Sequence, residues 1–133
     1  MPLRFAPPRT RHLAVTSHRS GPVHTIAAQG HIDLATDAPW HDHLIDAATS
    51  VDGTTHLVVD LTDVTYLSWA STAALIRAHH ACAARGRHLV VRAGGAILTG
   101  LRLTRLDHTL TITPATTTAR TATAHNHSEW LIA

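Results

Sequence analysis

Lysine is absent from this 133-residue chain, and glutamate occurs once, at Glu129. The positive charge is carried by 11 arginines spread from Arg4 to Arg120, and the formal net charge is only +2. A nucleic-acid binder gathers its cations in a patch or stripe, so this scatter argues against direct nucleic-acid contact. The single cysteine, Cys82, excludes an internal disulfide framework and suits a reducing compartment. No apolar run approaches the roughly 20 residues that a membrane span requires. The N-terminus also lacks the short apolar core of a signal peptide. A cytoplasmic protein with no membrane partner is therefore expected. Large apolar side chains are scarce too: 22 residues are Ala, while Leu, Val and Ile together supply 30. At this length a chain buries about two-thirds of its unfolded surface, enough for one small domain and not for two.

What is present is a regular alternation of elements. The segment MPLRFAPPRT, with three prolines and no periodicity, makes 1–10 a flexible leader. Apolar and polar residues alternate from His12 to Ser17 and from Val23 to Gln29, with Gly21 and Pro22 between them, which predicts a β-hairpin. From Asp33 to Val51 the period changes: Leu34, Pro39 or Trp40, Leu44, Ile45 and Ala48 recur at helical spacing. Asp33 or Thr36 is available as N-cap and Gly53 lies past the end, so a helix is predicted that starts at Asp33 or only at Ala38. HLVVDL, His56 to Leu61, is a strand, followed by a turn-like Thr62 and Asp63 and a short extension through Tyr66 and Leu67. Trp69 to Arg85 reads as a helix with Leu75, Ile76, His79, Cys82 and Ala83 on one stripe, Ser68 as N-cap and Gly86 as terminator. A strand at His88 to Arg92 follows. A short helix spans Ala96 to Thr104, with Ile97, Leu98, Leu101 and Arg102 or Leu103 inward, and a last strand, Leu110 to Thr113, stops at Pro114. Residues 115–124 are nearly all Ala and Thr and form a poor terminal helix or nothing. The remainder, 125–133, is a tail with an apolar end at Trp130. Strands and helices in this order build a mostly parallel sheet through crossover connections, with the hairpin as its antiparallel part.

Three segments carry a family resemblance. Gly30-His31-Ile32-Asp33-Leu34-Ala35-Thr36 resembles the G-x-[IL]-D-x-x-[TN] entry to the first helix of STAS domains, the fold shared by bacterial anti-sigma factor antagonists and the cytoplasmic tails of sulfate transporters. HLVVDLTDVTYLSWASTAAL, His56 to Leu75, is similar to the stretch in which V-[VL]-D-L-[ST]-x-V-x-[FY]-[IL]-D-S-[ST]-G-[LV]-x-x-L is typical of the family. Leu103-Thr104-Arg105-Leu106-Asp107 is similar to its L-T-G-L-D. Each motif alone is weak; three in order, on the element order already derived, are specific. The resemblance implies an α/β fold: one STAS-like domain over 11–124, with a mixed, mostly parallel sheet of about five strands and helices largely on one side.

It also implies a non-catalytic, protein-binding role in transcription regulation. In the antagonists the domain binds an ATP-using anti-sigma kinase, which phosphorylates a serine at the helix start and so dissolves the complex. Free amides and the positive dipole end in the first turn of a helix stabilise such a phosphate, while the added charge of about −1.5 to −2 penalises an apolar or acidic partner. Here the family's D-S-[ST]-G becomes Ser68-Trp69-Ala70-Ser71, and indole accepts no phosphate. The usual switch is therefore expected to be absent. Ser68 and Ser71 are neighbouring hydroxyls that a kinase could use instead, although a one-residue displacement turns a side chain about 100° around the helix. Trp69 either folds over the sheet edge to fill space or anchors a partner together with Tyr66. The expected partner surface lies around Tyr66 to Thr72, plus the Gly30 to Thr36 connection, with Asp33, Tyr66, Ser68, Trp69, Ser71 and Thr72 as its candidate contacts, and the expected partner is an anti-sigma factor or serine kinase. The protein itself is expected as a monomer or weak homodimer.

Other chemistry carries less. Among 13 histidines, the close pairs His41 and His43, and His79 and His80, sit one or two apart on predicted helices and do not face each other. His125 and His127 lie in the tail. With no cysteine pair, no metal site is expected and no cofactor is called for. Cys82 lies mid-helix on the apolar stripe, where an inert thiol is expected. Asp60 and Asp63 flank a turn and read as caps for local amides; no catalytic residue is assigned. Gly94 and Gly95 precede a helix and form a candidate anion site without the Lys-Ser or Lys-Thr ending of a P-loop. They leave a small-ligand or nucleotide sensor as the competing reading.

Overall fold

A computed structural model describes residues 13–115 of the chain. Strands β1 (Leu13–Ser20) and β2 (Val23–Ile32) form an antiparallel hairpin, with Ser20 opposite Val23. Its two-residue connection needs positive φ at the first position, and Gly21 supplies it at 61°. The chain continues through helix α1 (Asp37–Thr49), strand β3 (His56–Leu67), helix α2 (Thr72–Ala84), strand β4 (His88–Ala93), helix α3 (Gly95–Leu103) and strand β5 (Thr111–Pro114). The five strands lie in sequence order in one sheet, antiparallel between β1 and β2 and parallel thereafter. This is the mixed α/β architecture that the alternation of elements predicts. The expected tail, 125–133, its His125 and His127, and the leader 1–10 lie outside the described residues.

Alternation within the parallel strands decides which way the core faces. Ile26, Ala28, Leu57, Val59, Leu61, Leu89, Val91 and Ala93 point to the side covered by α1 and α2 and are buried. Val58, Asp60, Val90 and Arg92 point to the other side and are half-buried. The two helices pack on each other through small residues, Ala47 and Ala48 on α1 and Ala74 and Ala78 on α2, all buried. Small side chains at buried helix positions leave room for neighbouring elements to approach closely in a dense core. Trp40 is the largest fully buried side chain. The far end of α2 stops on Gly86 at φ 70°. There Arg87 N–H reaches the Cys82 carbonyl at 2.8 Å and Gly86 N–H the Ala83 carbonyl at 3.1 Å, the Schellman pattern. The Arg87 guanidinium then donates to the Ala48 carbonyl at 2.8 Å and to the Ser50 carbonyl, satisfying the end of α1 from the start of β4.

Several sequence-derived boundaries are corrected. Thr62 and Asp63 do not turn the chain: β3 runs unbroken from His56 to Leu67, and two register shifts against β2 absorb the irregularity. The Asp60 carboxylate accepts from Thr62 N–H at 2.9 Å and from its hydroxyl, so the polar pair braces a bulge rather than a loop. Helix α1 begins at Asp37, and Leu34, expected on its inner stripe, is 83% exposed in the loop before it. Helix α2 begins at Thr72 rather than Trp69, and its buried stripe runs through Ala74, Leu75, Ala78 and Cys82, leaving Ala83 exposed. Leu103 and Arg102 are exposed rather than inward on α3. Strand β5 includes Pro114, tolerated because the strand lies at the sheet edge.

Candidate functional site

The residues singled out by the sequence converge where β2 and β3 end. These strands are parallel neighbours, with Ile32 opposite Leu67, so both of their exits to a helix lie at one end of the sheet. Ser68 N–H donates to the Ile32 carbonyl at 2.9 Å, which ties the two exits together.

The first exit is a compact polar turn. Asp33 N–H donates to Thr36 Oγ1 at 2.9 Å, the Thr36 hydroxyl donates to the His31 carbonyl at 3.0 Å, and Ala35 N–H donates to Asp33 Oδ1 at 2.9 Å. Short side chains that bond nearby backbone favour such a turn over helix, which is why α1 starts only after Thr36. Asp33 and Thr36 are buried by this arrangement, while Leu34 between them is turned outward.

The second exit is a turn of i to i+3 bonds. Ser71 N–H donates to the Ser68 carbonyl at 3.0 Å, Thr72 N–H to that of Trp69 at 3.1 Å, and Ala73 N–H to that of Ala70 at 3.2 Å. The Ser68 side chain accepts from Ser71 N–H at 3.1 Å and so closes the turn before the helix, while the N-cap of α2 is Ser71 rather than the expected Ser68. The Thr72 hydroxyl donates to the Trp69 carbonyl at 2.6 Å. Trp69 is thus held on a backbone fixed from both sides, yet its indole is 65% exposed.

The six expected contact residues therefore gather at one end of the fold but divide by exposure. Tyr66 and Trp69 are exposed and Ser68 is half-buried; Asp33, Ser71 and Thr72 are buried. Ser71 is out of contact with solvent altogether, so a kinase has no access to its hydroxyl in this conformation. Two further residues belong here, both within the Gly30 to Thr36 connection expected to take part in binding though not among the six. Leu34 adds exposed apolar surface on the first exit. His31 sits opposite Tyr66 across the strands, with ring centroids 6.0 Å apart.

The remaining candidates are placed elsewhere or taken up structurally. Gly94 precedes α3 with extended backbone, and Gly95 opens that helix at φ 56°. A Cβ at Gly94 would meet the Ala115 carbonyl oxygen at 3.5 Å, an ordinary contact, so neither space nor backbone conformation there demands glycine. Asp60 pairs with Arg92 at 3.6 Å across β3 and β4 as well as bracing the bulge. Cys82 is fully buried, and burial pushes its thiol pKa up, which keeps it protonated and unreactive. Among the described residues no helix is long and apolar enough to cross a membrane.

A family model described as "Mlab, STAS domain" matches residues 15–114. An anti-sigma factor antagonist from Mycobacterium paratuberculosis is 24% identical in its solved structure, with 84% of this chain and 94% of that chain aligned and a TM-score of 0.70. The anti-sigma factor antagonist SpoIIAA in its unphosphorylated form aligns at 8% identity over 83% of this chain and 96% of its own, with a TM-score of 0.61. The Bacillus cell fate determinant SpoIIAA in the phosphorylated form aligns at 9% identity over 84% of this chain and 100% of its own, with a TM-score of 0.60. At such identities the likeness is one of fold. A search of curated proteins finds no match.

Proposed function

The chain belongs to the STAS domain family, and on that premise we propose that it is a non-catalytic regulatory module of the anti-sigma factor antagonist kind, binding an anti-sigma factor or serine kinase without the usual serine switch. The observation that carries this reading is the exposure of Trp69 at the position where the family's motif has its phosphate-accepting serine. An indole offers a single N–H donor and no nucleophile, and its large apolar face loses water favourably on binding. Tryptophan also dominates many interfaces when a partner closes over it. Tyr66 and Leu34 extend the apolar area at the same end of the sheet, and the hydrogen-bonded turns on either side give it a rigid base. A rigid base lowers the ordering cost of association. The module acts in the cytoplasm, where its partner class resides, as a monomer or weak homodimer. Its domain spans 11–124, between a leader and a tail.

The test mixes the full chain with a panel of anti-sigma kinases and ATP, and measures both complex formation and phosphate incorporation. A stable complex with no phosphate on the module is expected, and Trp69→Ala should weaken it at least tenfold. Stoichiometric phosphate on Ser68 or Ser71 would refute the non-switching reading. Unchanged affinity in Trp69→Ala would refute the surface, and no complex with any such kinase would refute the partner class.

A further inference from the structure

The opposite end of the sheet brings together two histidines that are far apart in sequence. His56 opens β3 and His88 opens β4, and the two are directly paired in the parallel register. Leu57 and Leu89 beside them face the helices, so His56 and His88 project from the other side, where both are exposed. Their ring centroids lie 5.3 Å apart. A ring nitrogen lies about 1.1 Å from its centroid and a Zn–N bond is about 2.0–2.1 Å long, so two imidazoles on one tetrahedral ion have centroids about 5.2 Å apart. The observed separation is within reach of that requirement, and it is set by the strand register rather than by the side chains.

The surroundings favour the same chemistry. Thr55 Oγ1 lies 2.9 Å from His56 Nδ1, which orients the ring and leaves Nε2 for a ligand, as an outer partner does in natural metal sites. Among the described residues no group of three or more His, Cys, Asp or Glu side chains is placed to hold a metal ion, so an ion here would have the two imidazoles as its only ligands from the described residues. Imidazole nitrogen suits the late first-row divalent ions.

We propose that His56 and His88 form an open, two-imidazole site for a late first-row divalent cation such as Zn²⁺ or Ni²⁺, with water completing the coordination sphere. The ion clips the starts of β3 and β4 together, roughly 30 Å along β3 from Tyr66 at about 3.3 Å per residue. The site is thus separate from the proposed partner surface, and it stands or falls independently of it.

The experiment titrates the full chain with ZnCl₂ at pH 7.5 and follows the imidazole nitrogens by long-range ¹H–¹⁵N NMR correlation, because 13 histidines make a bulk signal ambiguous. The His56 and His88 resonances should shift together and before all others. His56→Gln and His88→Gln should each reduce affinity for the first equivalent at least tenfold, since each leaves one ligand of a chelate. His18→Gln should leave it unchanged. Both variants alter exposed side chains and should fold as the parent does, which circular dichroism will check. Simultaneous shifts across the other histidines, or an unchanged first-equivalent affinity in the His56→Gln/His88→Gln double variant, would overturn the assignment.

Discussion

The Ser68 hydroxyl donates to the Ser71 hydroxyl at 2.7 Å while its oxygen accepts the Ser71 amide at 3.1 Å, so one side chain closes the turn on which Trp69 stands. The pair occupies the first and last places of the segment where the family's motif reads D-S-[ST]-G. A serine replaces the acidic residue at one end, and a buried serine replaces glycine at the other. Ser68→Ala removes the acceptor for the turn amide and a partner of a buried hydroxyl. It should lower stability by about 1 kcal/mol, as loss of a capping side chain does. A urea midpoint displaced at constant slope will check this.

The two described tryptophans should respond in opposite ways. Trp69→Ala removes an exposed side chain and should change stability by no more than about 0.5 kcal/mol. Trp40 is buried completely, with its indole N–H lacking a hydrogen-bond partner among the described residues. Trp40→Ala should cost about 3–5 kcal/mol. Trp40→Phe should recover much of that, because no hydrogen bond is lost with the indole. Thermal and urea unfolding of the three variants give the ranking directly.

Arg105 has φ 62°, the only non-glycine among the described residues with positive φ. It stands where the family's L-T-G-L-D pattern has glycine. A side chain in the left-handed region costs about 1–2 kcal/mol, while glycine gives back about 0.4–1 kcal/mol through the freer unfolded chain. Arg105→Gly should therefore raise stability by about 0.5–1 kcal/mol, and a lower urea midpoint would contradict that balance.

Acid should destabilise the fold in two stages. His24 faces the helix side of β2, with Nε2 2.6 Å from Ser17 Oγ and Nδ1 buried without a hydrogen-bond partner among the described residues. Burial foremost, then the charge of Arg19, lowers its pKa; Arg87 adds to this and Asp52 opposes it. The folded state therefore takes up this proton less readily than the unfolded one. Stability is complete above about pH 6.5 and declines as pH falls through the folded value. Hydrogen bonds from Thr54 and Ser50, then from Arg19, hold the Asp52 carboxyl well below the usual carboxylate range. Its contribution is present above about pH 4 and is lost below it. His24→Gln should flatten the decline that sets in below about pH 6.5 and leave the lower stage intact, whereas Asp52→Asn should flatten the lower stage and, by removing the charge that opposes the His24 shift, deepen the upper one. Urea midpoints measured from pH 2 to 8 separate the two.

Much of the fold was legible because local chemistry and tertiary structure agree. Gly21 at the hairpin, the β-branched run of β3 and β4, and Gly86 past α2 each specify one conformation. Thr62 and Asp63 misled because a polar pair with side-chain bonds to backbone serves equally in a turn and in a bulge; only pairing with β2 distinguishes them. Leu34 misled because an apolar residue just before a helix can match its period by chance. At the candidate site, the types of Ser68 and Trp69 marked the turn between β3 and α2, but the burial of Ser71 depends on how that turn packs. Arg87 carried no sequence signal at all. Its partners are carbonyls on α1, about 40 residues earlier in the chain. His56 and His88 were likewise invisible as a pair, since strand register alone makes them neighbours.

The two extra residues in β3 have a bearing on how such a surface changes over time. Val64 and Leu67 face inward with Thr65 and Tyr66 between them, an order that simple alternation does not allow. Which aromatic or aliphatic group meets water at this end is governed by how many residues the strand contains, and not only by which ones. A single deletion there would exchange the roles of Tyr66 and Leu67 in one step. Strand length thereby becomes a means of exchanging one recognition surface for another, with the inward place of Leu67 passing to its neighbour.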